Sequence, residues 1–247
     1  MATSSLTPFL EYVILVGLFV GILIIRQIVN KFGASIMGKL FKYFLIGTIL
    51  LFAMRLFVHL VDVGTLQIAD GSREFWWHII FYLALISFYF GLKGLVNLAE
   101  GKENKIAENV GKWSVFSLIA AIVIFILAST TGSSLAGFYE NPIFSSFGLH
   151  HFIAFGLACL IVYYLLQTKE KIGMIGAGIA RPFMLSLLFW GLQHLWELLG
   201  ESWKIVQVTD FQIERVEQYL VIPAVCILIY TLLQLKKVTG GSTNKSN

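Results

Sequence analysis

Histidine and carboxylate side chains recur at helical spacing inside long apolar stretches of the chain. The two clearest groups are Arg55, His59 and Asp62 in one stretch, and His194, Glu197 and Glu201 in another. Residues three, four or seven positions apart share one face of a helix, so each group places an imidazole beside at least one carboxylate. Ionisable groups inside apolar stretches are costly to bury and mark candidate functional sites.

These residue types favour a metal site. Neutral imidazole supplies a nitrogen ligand, a carboxylate offsets the charge of the cation, and bundles assemble such donors from different helices. The predicted metal ligands are His59, Asp62, His78, His150, His194, Glu197 and Glu217. The residues predicted to support them by hydrogen bonds or ion pairs are Arg55, Glu201, Glu214 and Tyr82.

One choice within this set concerns the adjacent pair His150 and His151. Successive residues of a helix point about 100° apart, so we expect at most one of the two to face a common site. With imidazole and carboxylate donors and no thiolate at the same depth, zinc, iron or copper is the expected metal.

The composition predicts an integral membrane protein. Of the 247 residues 57% are hydrophobic and 13% are charged, about half the charged share of an average soluble domain. The mean hydropathy of +0.81 agrees. The net charge of +4 does not indicate nucleic-acid binding, because basic residues are expected in short cytoplasmic loops. Cys159 and Cys226 lie in apolar stretches, which gives no sign of a disulfide framework.

Seven apolar stretches predict a bundle of about seven transmembrane helices. They cover residues 8–28, 40–63, 75–98, 113–130, 149–167, 176–200 and 216–235. Their lengths of about 20 residues suit helices, whereas barrel strands would alternate over about ten. We predict one transmembrane domain over residues 1–237, followed by a disordered cytoplasmic tail over residues 238–247.

The distribution of basic residues predicts the orientation. With the amino terminus outside the cell membrane and the carboxyl terminus in the cytoplasm, fourteen of the 18 lysines and arginines fall on the inner side. The four others are Arg55, Arg73, Lys204 and Arg215. Cytoplasmic loops carry such an excess in membrane proteins. All five histidines then lie on the extracytoplasmic side.

Several functions are compatible with these residues. The first is a metal-binding enzyme or a subunit of a membrane metalloenzyme complex. The second is a b-type haem electron-transfer protein, with His59 and His194 as axial ligands. The third is a non-catalytic structural subunit that packs against other membrane proteins, and the fourth is a small-ligand sensor or transporter.

Two families share part of this outline but not its specific residues. Seven spans in about 250 residues resemble the microbial rhodopsins, yet residues 219–235 contain no lysine that would bind retinal. Seven-span zinc hydrolases would be expected to show a histidine pair near the last helix, and this stretch contains no histidine.

Overall fold

Seven long helices carry most of the chain in the computed structural model, which describes residues 6–68, 70–130, 142–145 and 147–240. They are α1 (Leu6–Phe32), α2 (Ile36–Asp62), α3 (Asp70–Ala99), α5 (Val110–Thr130), α7 (Leu149–Thr168), α8 (Gly173–Glu197) and α9 (Asp210–Gly240). Two short helices are α4 (Lys105–Glu108) and α6 (Pro142–Ser145), and a π-helical turn, Leu198–Ser202, directly continues α8. These ranges contain no β-strand, so the prediction of an all-helical chain is confirmed for them.

Six of the long helices are long and apolar enough to cross a membrane. They lie within α1, α2, α3, α5, α7 and α9. The remaining helix, α8, corresponds to the predicted sixth stretch, and Arg181, Gln193, His194 and Glu197 lower the hydropathy of its residues 178–197. The count of seven spans and the sidedness of the termini stay predictions.

Six helices form a closed ring. Each packs against the next in the order α1, α2, α3, α7, α8 and α9, and α9 packs against α1. Helix α5 lies outside this ring, against α2 and α3. The first and last long helices of the chain are therefore neighbours, which brings polar residues near their ends into the same interior.

The two ends of the ring have different interiors. At one end Phe44, Phe88 and Phe183 contact one another, with ring centroids 5.3 to 6.1 Å apart. Close packing there requires small residues, because a Cβ atom added to Gly91 would lie 2.6 Å from the Phe44 ring. The opposite end, called here the histidine end, comprises the starts of α1, α3, α7 and α9 and the ends of α2 and α8. Its interior is polar.

The outer surface of the bundle is apolar. Most clearly on α5, large hydrophobic side chains are exposed, including Val115, Phe116, Leu118, Ile119 and Ile122. Such a surface is unfavourable in water but is matched by lipid chains, so these helices are suited to contact with a bilayer.

The last described helix extends into the region predicted as the carboxyl-terminal tail. Helix α9 continues through Gly240, three residues past the predicted end of the membrane domain at residue 237. Residues 241–247, which make up most of the predicted disordered tail, lie outside the described residues. The division of the chain into domain and tail stays a prediction.

Candidate metal site

Four side chains from three helices meet inside the histidine end of the ring. They are His78 of α3, His151 of α7, and His194 and Glu197 of α8. One potential ligand atom from each lies within 4.8 Å of the others. Their residues are between 0% and 4% exposed, so the group is enclosed by protein. We call these residues the His3Glu group.

Glu197 holds the group together through one carboxylate oxygen. Its Oε2 lies 3.0 Å from His151 Nδ1 and 3.0 Å from His194 Nδ1. The Nε2 atom of His78 lies 3.2 Å from the same Nδ1 of His151. Because His194 and Glu197 are three residues apart on α8, they face the same direction. Three imidazole nitrogens therefore converge around a single carboxylate.

Aromatic rings cover one side of the His3Glu group. The Trp77 ring stacks on His194 with centroids 5.4 Å apart and planes 22° apart. The Phe81 ring lies 4.6 Å from His194 and 5.7 Å from Trp190. These rings exclude water on that side, which strengthens electrostatic interactions within the group.

The start of α7 is placed by a close contact with the π-helical turn. Gly148, which precedes α7, has φ of +64°, a left-handed conformation that favours glycine. A Cβ atom at this position would lie 2.5 Å from Ser202 Oγ and 2.6 Å from Leu198 Cδ1. The absence of a side chain at Gly148 thus allows α7 to approach the turn closely and to present His151 to Glu197.

A second buried network extends from the other oxygen of Glu197. The side-chain amide of Gln193 donates hydrogen bonds to Glu197 Oε1, at 3.2 Å, and to Glu217 Oε1, at 3.0 Å. Arg55 Nη1 donates to the same Glu217 oxygen at 2.7 Å, and Arg55 Nη2 donates to Glu11 Oε1 at 2.5 Å. Arg55 and Gln193 are at most 2% exposed, so this network lies in the interior.

The network joins four helices of the ring. Glu11 comes from α1, Arg55 from α2, Gln193 from α8 and Glu217 from α9. Gln218 of α9 also donates to Glu11, at 3.4 Å. Charged groups in such a location need paired and hydrogen-bonded partners, and Arg55 has two carboxylates. We call Glu11, Arg55, Gln193, Glu217 and Gln218 the Arg55 network. Gln193 connects this network to the His3Glu group through its hydrogen bond to Glu197.

Three of the predicted ligands, His78, His194 and Glu197, lie in the His3Glu group. The group contains His151 where the sequence favoured His150. The His150 ring is nevertheless close, with its centroid 4.0 Å from that of His151 and 4.6 Å from that of His78. The backbone carbonyl of His150 accepts a hydrogen bond from Tyr82 at 2.7 Å, so Tyr82 supports the start of α7.

The other predicted ligands lie apart from the His3Glu group. His59 packs edge-on against the Tyr12 ring of α1, with centroids 4.9 Å apart. Asp62, at the end of α2, is exposed. Glu217 belongs to the Arg55 network, where Arg55 is its ion-pair partner.

The remaining predicted supporting residues lie near the surface. Glu201 Oε2 is 3.9 Å from His151 Nε2, and the Glu201 side chain is 47% exposed. Glu214 is exposed near the start of α9.

Glu11 and Gln193 had no predicted role in the site. Glu11 lies inside the first apolar stretch, where a lone carboxylate implies a partner on another helix. Gln193 lies four residues before Glu197, on the same helix face, so a contact between the two side chains could have been predicted from this spacing. No protein-family model, curated protein or solved structure matches the chain. Its function is therefore inferred from the chemistry of its own residues.

Proposed function

We propose that this protein is a multi-pass membrane protein that binds a transition metal at the His3Glu group, as a metalloenzyme or as a subunit of a membrane metalloenzyme complex. The observation that carries the proposal is the convergence of four buried donor atoms, from three helices, within 4.8 Å. Three neutral nitrogens and one carboxylate suit zinc, iron or copper. Glu197 and the nearby aromatic rings would fix the orientation of the imidazoles.

We further propose that α8 is the seventh span. It contains 25 residues and therefore extends about 37 Å, which exceeds the roughly 30 Å hydrocarbon thickness of a bilayer. It also packs between α7 and α9, both of which are long and apolar enough to cross the membrane. Together with the excess of lysine and arginine at the opposite end, this arrangement favours an extracytoplasmic histidine end in the cell membrane.

The balance of buried charge also favours a cation. Glu11, Glu197 and Glu217 are carboxylates of the connected network, and Arg55 is its guanidinium. With neutral histidines and ionised carboxylates, these four residues sum to a formal charge of −2, which a low-dielectric interior disfavours. A divalent cation in the His3Glu group supplies the missing charge. Two protons would do the same, so we expect metal and protons to compete.

The alternative functions have less support. A haem bound between His59 and His194 is disfavoured because His59 packs against Tyr12, whereas His194 belongs to the compact His3Glu group. A transporter needs a polar route to the opposite end, but Phe81 and Trp190 underlie His194 and phenylalanines occupy the interior beyond them. The exposed apolar face of α5 is compatible with other membrane subunits as well as with lipid.

The test is direct measurement of bound metal. The purified protein in detergent is stripped with a chelator, equilibrated separately with Zn²⁺, Fe²⁺ and Cu²⁺, desalted and analysed for metal per chain. We expect about one ion per chain for at least one metal, and loss of that ion in His78→Ala, His151→Ala and His194→Ala. His59→Ala is the matched control and should keep it. Absence of stoichiometric metal from the wild type, or equal retention in all variants, would overturn the proposal.

A further inference from the structure

A surface cavity lies beside the π-helical turn that follows Glu197 of the His3Glu group. It has a volume of about 630 Å³ and is lined by the π-helical turn, the segment after it and the start of α9. Its polar lining includes Glu201, Lys204, Gln207, Asp210 and Gln212. Two of these side chains are carboxylates and one is an ammonium, so the formal charge of the lining is −1. A cleft of this sign raises the local concentration of cations.

Glu201 connects this cavity with the buried histidines. Its side chain is 47% exposed and lines the cavity, while its Oε2 atom lies 3.9 Å from His151 Nε2. The His151 side chain is 1% exposed, and its other ring nitrogen is 3.0 Å from Glu197. The His151 ring therefore has Glu201, which lines the cavity, near its Nε2 atom and Glu197, at the centre of the His3Glu group, near its Nδ1 atom.

The π-helical turn explains why Glu201 can reach both places. The Trp203 amide donates a 2.8 Å hydrogen bond to the Leu198 carbonyl, five residues earlier, which widens the helix here. The turn packs against Gly148, two residues before the start of the His150–His151 pair. This contact holds the carboxylate-bearing turn against the start of α7, where His151 lies.

We propose that the cavity is the route by which a divalent transition-metal cation reaches the His3Glu group, and that Glu201 transfers the cation from the cavity to His151. The proposal rests on the proposed function, because it needs a metal at the His3Glu group. It assigns Glu201 a role in the rate of metal exchange rather than in the equilibrium affinity. Glu201 is then a positioning residue on the path, distinct from the four proposed ligands.

The rate constants of metal binding and release distinguish a role of Glu201 in metal entry from a role in supporting His151. A residue on the metal-entry path lowers the free-energy barrier both to entry and to exit of the metal. Its loss therefore slows metal association and metal dissociation by the same factor, and the dissociation constant of the metal is unchanged. A group that only supports a bound ligand changes the dissociation constant, chiefly through a faster release. The two roles therefore differ in the ratio of the two rate constants.

The experiment measures both rate constants with Co²⁺ as the probe. Co²⁺ association with the full-length protein in detergent is followed by stopped-flow absorbance, and dissociation is followed after addition of excess chelator. Glu201→Gln preserves size and removes the charge. We expect both rate constants to fall about tenfold, with unchanged stoichiometry. Glu103→Gln is the matched control, since this carboxylate is 72% exposed at the opposite end of the bundle.

A second variant tests the cavity itself. Asp210→Asn removes the other carboxylate of the lining, and we expect it to slow association at low ionic strength, with a smaller effect at high salt. Unchanged rates in Glu201→Gln, or a weaker equilibrium affinity caused by faster release alone, would overturn the route. If the wild type binds no metal, the proposed function fails instead, so the two failures are distinguishable.

Discussion

Gln193 donates to Glu197 at 3.2 Å and to Glu217 at 3.0 Å, and so links the His3Glu group to the Arg55 ion pairs. Both acceptors are carboxylates, which requires the amide nitrogen of Gln193 to point toward them. The hydrogen bond leaves Glu197 Oε2 directed at His151 and His194. Gln193 therefore sets the orientation of a proposed ligand without belonging to the His3Glu group.

Replacement of Gln193 by leucine should weaken metal binding by about 10- to 100-fold, because the Glu197 carboxylate loses the donor that orients it. Competition titration with a chromophoric chelator measures the affinity. Ser186→Ala is the matched control. Ser186 is also buried on α8 and donates to the Ala224 carbonyl at 2.8 Å, but it does not belong to either network. An equal loss in both variants would mean that Gln193 acts only through packing of α8.

Replacement of Arg55 by methionine should lower the free energy of unfolding by about 3 to 5 kcal/mol, because it leaves Glu11 and Glu217 without their counter-charge. Chemical unfolding in detergent measures this change. The triple variant E11Q/R55M/E217Q removes the isolated charges and should recover much of the loss. Lys102→Met is the control, since the Lys102 side chain is 65% exposed and its ion pair with Glu100 should contribute little. No recovery in the triple variant would contradict the electrostatic explanation.

Replacement of Gly148 by alanine should displace the start of α7 and weaken metal binding. The new Cβ atom would meet Ser202 and Leu198 at 2.5 to 2.7 Å, and the φ of +64° is unfavourable for alanine. Gly156→Ala within α7 is the control, because its Cβ would have no neighbour within 4 Å and alanine favours helix. Metal titration and unfolding of both variants check the prediction. A wild-type affinity in Gly148→Ala would show that this contact does not position His151.

Much of the architecture could be predicted from the sequence, because lipid-facing helices require long apolar stretches whatever their partners. His194 and Glu197 were also predictable, since their spacing alone places them on one face of α8. The choice between His150 and His151 was not. It depends on the rotation of α7 about its axis, which is set by the contact of Gly148 with the π-helical turn.

The relation between Arg55 and His59 shows a similar limit. Their spacing of four residues places them on one stripe of α2, yet Arg55 reaches the interior network and His59 packs against Tyr12. The position of α1 determines which of these two side chains faces the interior of the ring. That position follows from closure of the ring by α9, a contact between distant parts of the chain that local spacing does not reveal.

Closure of the ring has a consequence for biosynthesis. Arg55 can meet Glu11 early, because the two are separated by 44 residues, but Glu217 lies 162 residues later and emerges from the ribosome with the last helix. During insertion the nascent chain therefore carries Arg55 with only one of its two carboxylates. The histidines of α7 and α8 reach the membrane shortly before α9 completes the ring. Truncation before α9 should therefore leave Arg55 paired with Glu11 alone, although the four residues of the His3Glu group, which lie on α3, α7 and α8, would all be present.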